Sequence, residues 1–454
     1  SSGTLGMPGT FDSVLTVASA ENEGVKWLYA LGVFGWYNAS HQIDQYMTTS
    51  EVENIPEGKG FYENLKPTEA LEGGVYAYTE SVKNSDGKIV FLPFEGGNAD
   101  SLVAAAKAAG AVGLALYDPT PAEGEEYDYV NVELTNYDVP VARVNLTEFN
   151  WMKQNNSTGT VSIKADWNLN NAAGEMSSFS SWGSTSQLEI TPDIMAPGGN
   201  IYSSRDNNSY GLMSGTSMAT PHLAGASALM LEYLRTAGIE GDAMTLAYAL
   251  MMSTAVPAKG SNGVTASPRK QGAGLVNLAS AMATKAYLQV EGKERPKLEL
   301  GDDPDKTGEY QMTFRVVNFG TEPLQYAITP TVLTENAETK GDYGNVQVYF
   351  ATQTSRDITA QTTWTTNCAN NVVTVPAKGT ADVTVTVKLS DALRKELTDT
   401  FENGIYIEGY ITLKQQATAE GVTGCDLSIP YLAFYGDWDQ APVIDIGYYW
   451  QKLQ

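Results

Sequence analysis

Ser217 stands where a chain would place a serine nucleophile. It lies in Gly211-Leu-Met-Ser-Gly-Thr-Ser-Met-Ala-Thr-Pro-His-Leu-Ala-Gly225, where small residues turn into a strongly apolar segment. Proline lacks an N–H and is tolerated within the first turn of a helix, so Pro221 sets the start of this helix at about Ser217. From there to Arg235 the residues are apolar nearly all round, with Ala219, Ala224, Gly225, Ala226 and Ala228 among them. That pattern predicts a helix buried among close neighbours. A serine at its N-terminus has a free N–H at the positive end of the helix dipole, and both favour an oxyanion there. The plainer reading of such a serine is a helix cap.

A hydroxyl is a weak nucleophile and needs a base within hydrogen-bond reach, oriented by a third group. The chain has two histidines. His222 follows Ser217 by five positions on one helix, which puts it about 140° round and roughly 7.5 Å along the axis, out of reach of the hydroxyl. His41, in Asn38-Ala-Ser-His-Gln-Ile-Asp44, is expected to be an exposed loop residue. Asp12 and Asp193 are the two acids that can be nominated beside the serine. Met218 is either core packing or an oxidation-sensitive neighbour of the leaving-group site.

The elements that must position this serine come from a chain of 454 residues, long enough for two or three domains. With 53 acidic against 28 basic residues and a net charge of −25, its surface repels phosphate backbones and anionic headgroups, which argues against nucleic acid partners and membrane insertion. Cys368 and Cys425 lack Cys-x-x-Cys spacing, so neither a zinc nor a redox motif is read, and two free thiols or one disulfide both remain open. No apolar run approaches the ~18 residues of a membrane span, and no basic-then-apolar leader precedes Ser1. The chain is expected to be an internal piece of a longer precursor.

Ser13-Val-Leu-Thr-Val-Ala-Ser19 reads as a buried strand, and Gly87–Pro93, Asp100–Ala109 and Ala111–Tyr117 as strand, helix and strand. That βαβ succession marks residues 41–168 as a self-contained α/β module. A further helix is expected over Asp242–Ser253. In the last third, alternation in Gln311–Val317, Leu324–Val332, Ala381–Val387, Ile405–Leu413 and Leu427–Phe434 predicts a β-sandwich over 289–454.

The run Gly215–Gly225 resembles, almost residue for residue, the nucleophile signature of the subtilisin-like serine proteases, the subtilases. The competing G-x-S-x-G elbow needs glycine two positions after the serine, and Ala219 stands there. Gly6-Met7-Pro8 looks like the family's substrate-pocket loop, in which the bond before proline is cis. Pro192-Asp193-Ile194-Met195-Ala196-Pro197-Gly198 is similar to its Pro-Asp turn, and Gly87-Lys88-Ile89-Val90 with Ala108–Gly113 resembles a protease-associated domain. The run Ser267–Gly274 and the ending Pro430–Trp438 are similar to the large cell-envelope subtilases, the lactocepin-type and complement-peptide-cleaving surface peptidases.

The resemblance implies the C-terminal portion of an α/β subtilisin-like catalytic domain, a parallel sheet with buried helices, in residues 1–40 and 169–288. It implies an inserted protease-associated domain over 41–168 and an all-β fibronectin type III-like sandwich after it. Ser217 would be the nucleophile, Thr216 would support the oxyanion hole, and Gly6 and Gly215 would bind substrate, while His222 would be a buried structural histidine and Asp193 the buried structural carboxylate of the Pro-Asp turn. The family's His-Gly-Thr-His segment does not occur here, no Asp-x-Gly triplet precedes Ser217 where the family order would put it, and the Ala-Ala-Gly-Asn segment would fall just before Ser1. The expected partner is therefore an N-terminal segment of the same protease supplying Asp, His and the oxyanion Asn. The substrate would be a protein or peptide and the location extracellular, secreted or attached to the cell surface. No cofactor is required. Structural calcium is frequent in the family, although no EF-hand-like spacing occurs here. The alternative is a non-catalytic surface or adhesion protein on a degenerate scaffold.

Overall fold

The computed structural model describes residues 14–22, 24–33, 35–37, 43–46, 74–121, 130, 132–133, 139, 141–144, 146–155, 159–169, 173–205, 209–239, 241–343, 346–416 and 425–440. Gly6, Met7, Pro8, Asp12 and His41 lie outside them. The chain forms two compact units, one of Ser1–Glu23, Asn171–Gly199 and Ser214–Gln454, the other of Gly24–Asn170 and Asn200–Met213.

In the first unit, strand β1 (Val17–Glu21) opens the chain's described course. The second unit follows with β2 (Gly24–Val33), β3 (Val75–Thr79), β4 (Ile89–Pro93), α1 (Asp100–Ala108), β5 (Gly113–Tyr117), β6 (Val141–Arg143), α2 (Leu146–Asn155) and β7 (Thr160–Leu169). Its sheet runs β6-β5-β4-β3-β7-β2. β3 to β6 are parallel and β7 is antiparallel to both neighbours. Successive residues of a strand face opposite ways, so Ile89, Phe91, Ala115 and Tyr117 pack with Phe149 of α2, while Val90, Leu92, Leu114 and Leu116 pack with Val103 and Ala106 of α1. This six-stranded sheet and its two helices lie within the unit of Gly24–Asn170 and Asn200–Met213. Gly24–Val33, expected within the catalytic portion 1–40, pairs with β7 from Gly24↔Leu169 onward and belongs to this sheet.

Back in the first unit, β8 (Ile194–Gly199) pairs in parallel with β1, Val17 opposite Ile194. Then come α3 (Thr216–Ala237), α4 (Ala243–Ser253), the short α5 (Pro268–Gln271) and α6 (Leu278–Ala283). Ile194 and Ala196 of β8, Ala219, Leu223 and Met230 of α3, and Leu246 and Leu250 of α4 share one core.

The strands after α6 are β9 (Ala286–Gln289), β10 (Leu298–Asp302), β11 (Glu309–Asn318), β12 (Leu324–Tyr343), β13 (Val346–Asp357), β14 (Thr362–Thr366), β15 (Val372–Val375), β16 (Gly379–Leu389), β17 (Ile405–Gln415) and β18 (Leu427–Tyr435), with α7 (Asp391–Thr400) between β16 and β17. They form two sheets, β9-β11-β16-β14 and β10-β18-β17-β12-β13, with β15 beside β12. Alternate residues such as Met312, Phe314, Val383 and Val385 meet Ile328, Ile411, Ile429 and Tyr431 in a single core. The predicted sandwich is present, and it already includes Ala286, just before the expected residue 289.

Candidate active site

Helix α3 starts where the sequence puts it, within one residue. Thr216 is its first residue, Ser217 its second, and Gly215 precedes it without any side-chain cap. The Gly215 N–H donates to the Gly198 carbonyl at 2.9 Å, and the Gly215 carbonyl accepts from Met218 N–H at 2.9 Å. A Cβ on Gly198 would lie 2.7 Å from the Gly215 oxygen and 3.0 Å from Ala219 Cβ. Only glycine there lets the end of β8 close on the helix start.

Ser217 is exposed, and among the described residues no partner bonds its hydroxyl. Its N–H, in the first turn, has no intrahelical acceptor and lies at the positive end of a 22-residue helix. Thr216 offers its carbonyl to the Thr220 hydroxyl at 2.9 Å. Met218 is partly buried beside the cap. Pro221 sits in the second turn, not the first, so the Ser217 carbonyl lacks its i+4 donor.

Two expectations about this helix need correction. Its buried residues form one stripe, Ala219, Leu223, Ala226, Met230 and Leu234, and the opposite side carries exposed Ala224, Gly225, Ala228 and Leu229, the last 54% exposed. His222 is likewise exposed rather than buried, its Nδ1–H donating to the Met218 carbonyl at 3.0 Å. The cause is helical phase: His222 and Leu229 lie off the stripe that meets β8 and α4. With its Nδ1 committed one turn back, His222 does not serve Ser217.

Asp193 is buried, as expected of a structural carboxylate. Its Oδ2 accepts from Thr16 N–H at 2.8 Å and from Arg295 Nη1 at 2.9 Å, and Lys297 Nζ lies 3.0 Å from Oδ1 without hydrogen-bond geometry. It stands at the far end of β8 from Gly198, about 16 Å away at ~3.3 Å per residue, too far to orient a base at Ser217. The described residues hold no cluster of three or more metal-ligating side chains.

A second buried ion pair escaped the sequence reading. Arg269 Nε and Nη2 reach Glu408 Oε2 and Oε1 at 2.9 and 3.0 Å, and the Ser267 hydroxyl donates to Oε2 at 2.7 Å. The Tyr406 ring covers the guanidinium at 3.8 Å. Burial opposes the Arg269 charge, but Glu408 more than offsets it and holds the pKa above its ordinary value. A glutamate inside the apolar run Ile405–Leu413 was the available signal. Both cysteines are free thiols, and burial pushes Cys425 up.

The Subtilase family profile matches residues 1–274, over half of the chain, and includes Ser217. The chain belongs to the subtilase family. An Fn3-like domain profile matches residues 298–432 of this subtilase, within the sandwich. The chain is 29% identical over 467 residues to a C5a peptidase of Streptococcus pyogenes serotype M3, across 99% of this chain and 35% of that protein. It is 28% identical over 463 residues to the PI-type proteinase of Lactococcus lactis subsp. cremoris, across 97% of this chain and 23% of that protein. It thus spans about a third or less of the curated relatives it matches. Among solved structures, the patellamide maturation protease PatA aligns over 24% of this chain and 38% of its own at 30% identity, with a TM-score of 0.21.

Proposed function

We propose that this chain is the serine-bearing part of an extracellular endopeptidase that hydrolyses peptide bonds through an acyl-enzyme on Ser217. Carrying the reading is Ser217 itself: a family-signature serine, exposed on an uncapped helix turn, with no base beside it among the described residues. The Ser217 N–H would hold the oxyanion, with Thr216 supporting it and Gly215 and Gly6 receiving substrate. Asp, His and the oxyanion Asn would come from an N-terminal segment of the same protease. The bare small-residue side of α3 supports that segment as its cover, because helices with residues such as Ala224, Gly225 and Ala228 admit close neighbours. The α/β unit would be a protease-associated insert. The names of the relatives, a C5a peptidase and a PI-type proteinase, support a protein or peptide substrate. Among the described residues no helix is long and apolar enough to cross a membrane. No cofactor enters the reaction, and calcium would be structural.

The test is a fluorophosphonate probe applied to this chain alone and to the chain joined to such an N-terminal segment. Strong labelling of Ser217 only in the joined protein is expected, lost in Ser217→Ala. Equal labelling of the isolated chain would refute the missing-base account, and no labelling of either would refute the nucleophile.

A further inference from the structure

The strand β8 is held at both ends, and its two ends do different things. At Gly198 its carbonyl takes the Gly215 N–H, two residues before Ser217. Between the ends, Ile194 and Ala196 share a core with Ala219 and Leu223 of the nucleophile helix. At the other end Asp193 receives two cationic side chains, Arg295 and Lys297. Neither cation lies within the catalytic or the Fn3-like match: both fall in the connection between residues 274 and 298.

That connection is tied down as firmly as the strand. Lys297 Nζ donates to the Ile190 carbonyl at 2.7 Å and pairs with Glu299 at 3.3 Å, and Glu299 in turn accepts from Ile190 N–H at 3.0 Å. Leu298–Asp302, which follows directly, pairs with Tyr431, Leu432 and Phe434 of the sandwich. A second link runs through the loop after Arg269. There Ala273 N–H donates to the Asp193 carbonyl at 2.8 Å, and Met195 exchanges hydrogen bonds with Gly274 and Val276 at 2.9 Å each. Any side chain on Gly272 would collide with Asp193, so this loop lies directly on the strand.

We infer that Arg295 and Lys297 are positioning residues for Ser217, acting through Asp193 and β8, so that the sandwich sets the seat of the nucleophile helix. The inference rests on the reading of Ser217 as nucleophile. The physical ground is that a carboxylate buried at 2% exposure is stable as an anion only with its charge partners in place. Removing one leaves the buried carboxylate short of a partner and forces Asp193 to move toward the one that remains. A six-residue strand packed along the helix and bonded to its cap carries that shift to Gly215.

The experiment is hydrogen exchange by mass spectrometry on this chain, comparing a peptide spanning Ser214–Leu223 with one spanning Gly379–Leu389 of the sandwich. Arg295→Met and Lys297→Met are expected to speed exchange in the first by about tenfold and leave the second within about twofold, as local rather than global opening. Arg295→Lys should restore the first to near wild type, and Arg315→Met, which breaks the exposed pair with Asp382 in the same sandwich, should change neither. Should Arg295→Met not fold, the less buried Lys297→Met carries the same expectation. Unchanged exchange at Ser214–Leu223, or an equal rise in both peptides, would overturn the inference. In the joined protease the same variants should lower kcat by about tenfold with KM unchanged, the mark of misplacement rather than lost binding. A rise in KM with kcat unchanged would also overturn it. Failure of wild type to label would instead remove the nucleophile reading and leave the exchange result to stand.

Discussion

Helices α3 and α4 share a core, yet they begin in opposite ways. α4 starts at Asp242, whose carboxylate accepts from Thr245 N–H at 2.8 Å, and the same device recurs at Asn277 for α6 and Ser390 for α7. α3, twice the length of α4, starts at Gly215 with no side chain on its donors. They also differ in burial. α4 runs through Leu246, Ala247, Ala249, Leu250, Met251 and Met252, all buried, while α3 shows one stripe to the core and one to solvent. Stability alone would favour a cap on the longer helix. Leaving it off keeps the Ser217 N–H without an acceptor, which the proposed function would use for a developing negative charge.

The sharpest way to break this contrast is to give α3 the cap of α4. Gly215 has φ 161°, an extended backbone open to any residue, and a Cβ there would meet Met218 Sδ and Ser217 N at an ordinary 3.6 Å. Gly215→Asp should therefore fold with an unchanged or raised melting temperature. In the joined protease its carboxylate should occupy the oxyanion donors and slow fluorophosphonate labelling by about 10²–10³-fold. A labelling rate equal to wild type would mean that the bare start has no catalytic purpose.

The two sides of α3 come next. Met230→Ala, on the buried stripe, should destabilise this chain by about 2–5 kcal/mol in denaturant unfolding. Leu229→Ala, one residue away on the bare side, should stay within about 0.5 kcal/mol. If the two losses match, the exposed side is already covered in this chain.

The smallest effect concerns the α4 cap. Hydrogen bonds from Thr245, side chain first and then backbone, hold the Asp242 pKa below its ordinary value. A carboxylate depressed on folding contributes stability above its unfolded pKa and loses it as pH falls through the folded one. Asp242→Asn should thus flatten a small part of the acid limb below about pH 4, read as melting temperature against pH.

How much of this was legible follows the range of the interaction. The helix start at Ser217 was readable because the signature, Pro221 and the apolar run are neighbours in sequence. The sandwich strands were readable because alternation is local, as in Gln311–Val317. The bare side of α3 was not: Ala224, Gly225 and Ala228 are small enough to suit core or solvent, so periodicity gives no phase. Nor was the assignment of Gly24–Val33, whose partner strand begins at Thr160. Arg269 with Glu408 and Asp193 with Arg295 are separated by more than a hundred residues, and only folding pairs them. Gly6, among the proposed site residues, lies outside the described residues.

The seam at which the α/β unit enters the chain has its own consequence. Gly24 and Leu169 are paired neighbours within that unit, and within the other unit Glu21 exchanges hydrogen bonds with Gly174 and Glu175 at 3.0 and 2.8 Å. To the host fold, the whole excursion is therefore a hairpin whose ends never part. Lengthening a closed loop adds entropy only logarithmically, so the catalytic portion is indifferent to how large the excursion grows. Only Gly24–Asn170 enters and leaves there; Asn200–Met213, which belongs to the same unit, rejoins the first unit at Ser214, so exchanging the whole module also changes the run that leads into the Ser217 helix.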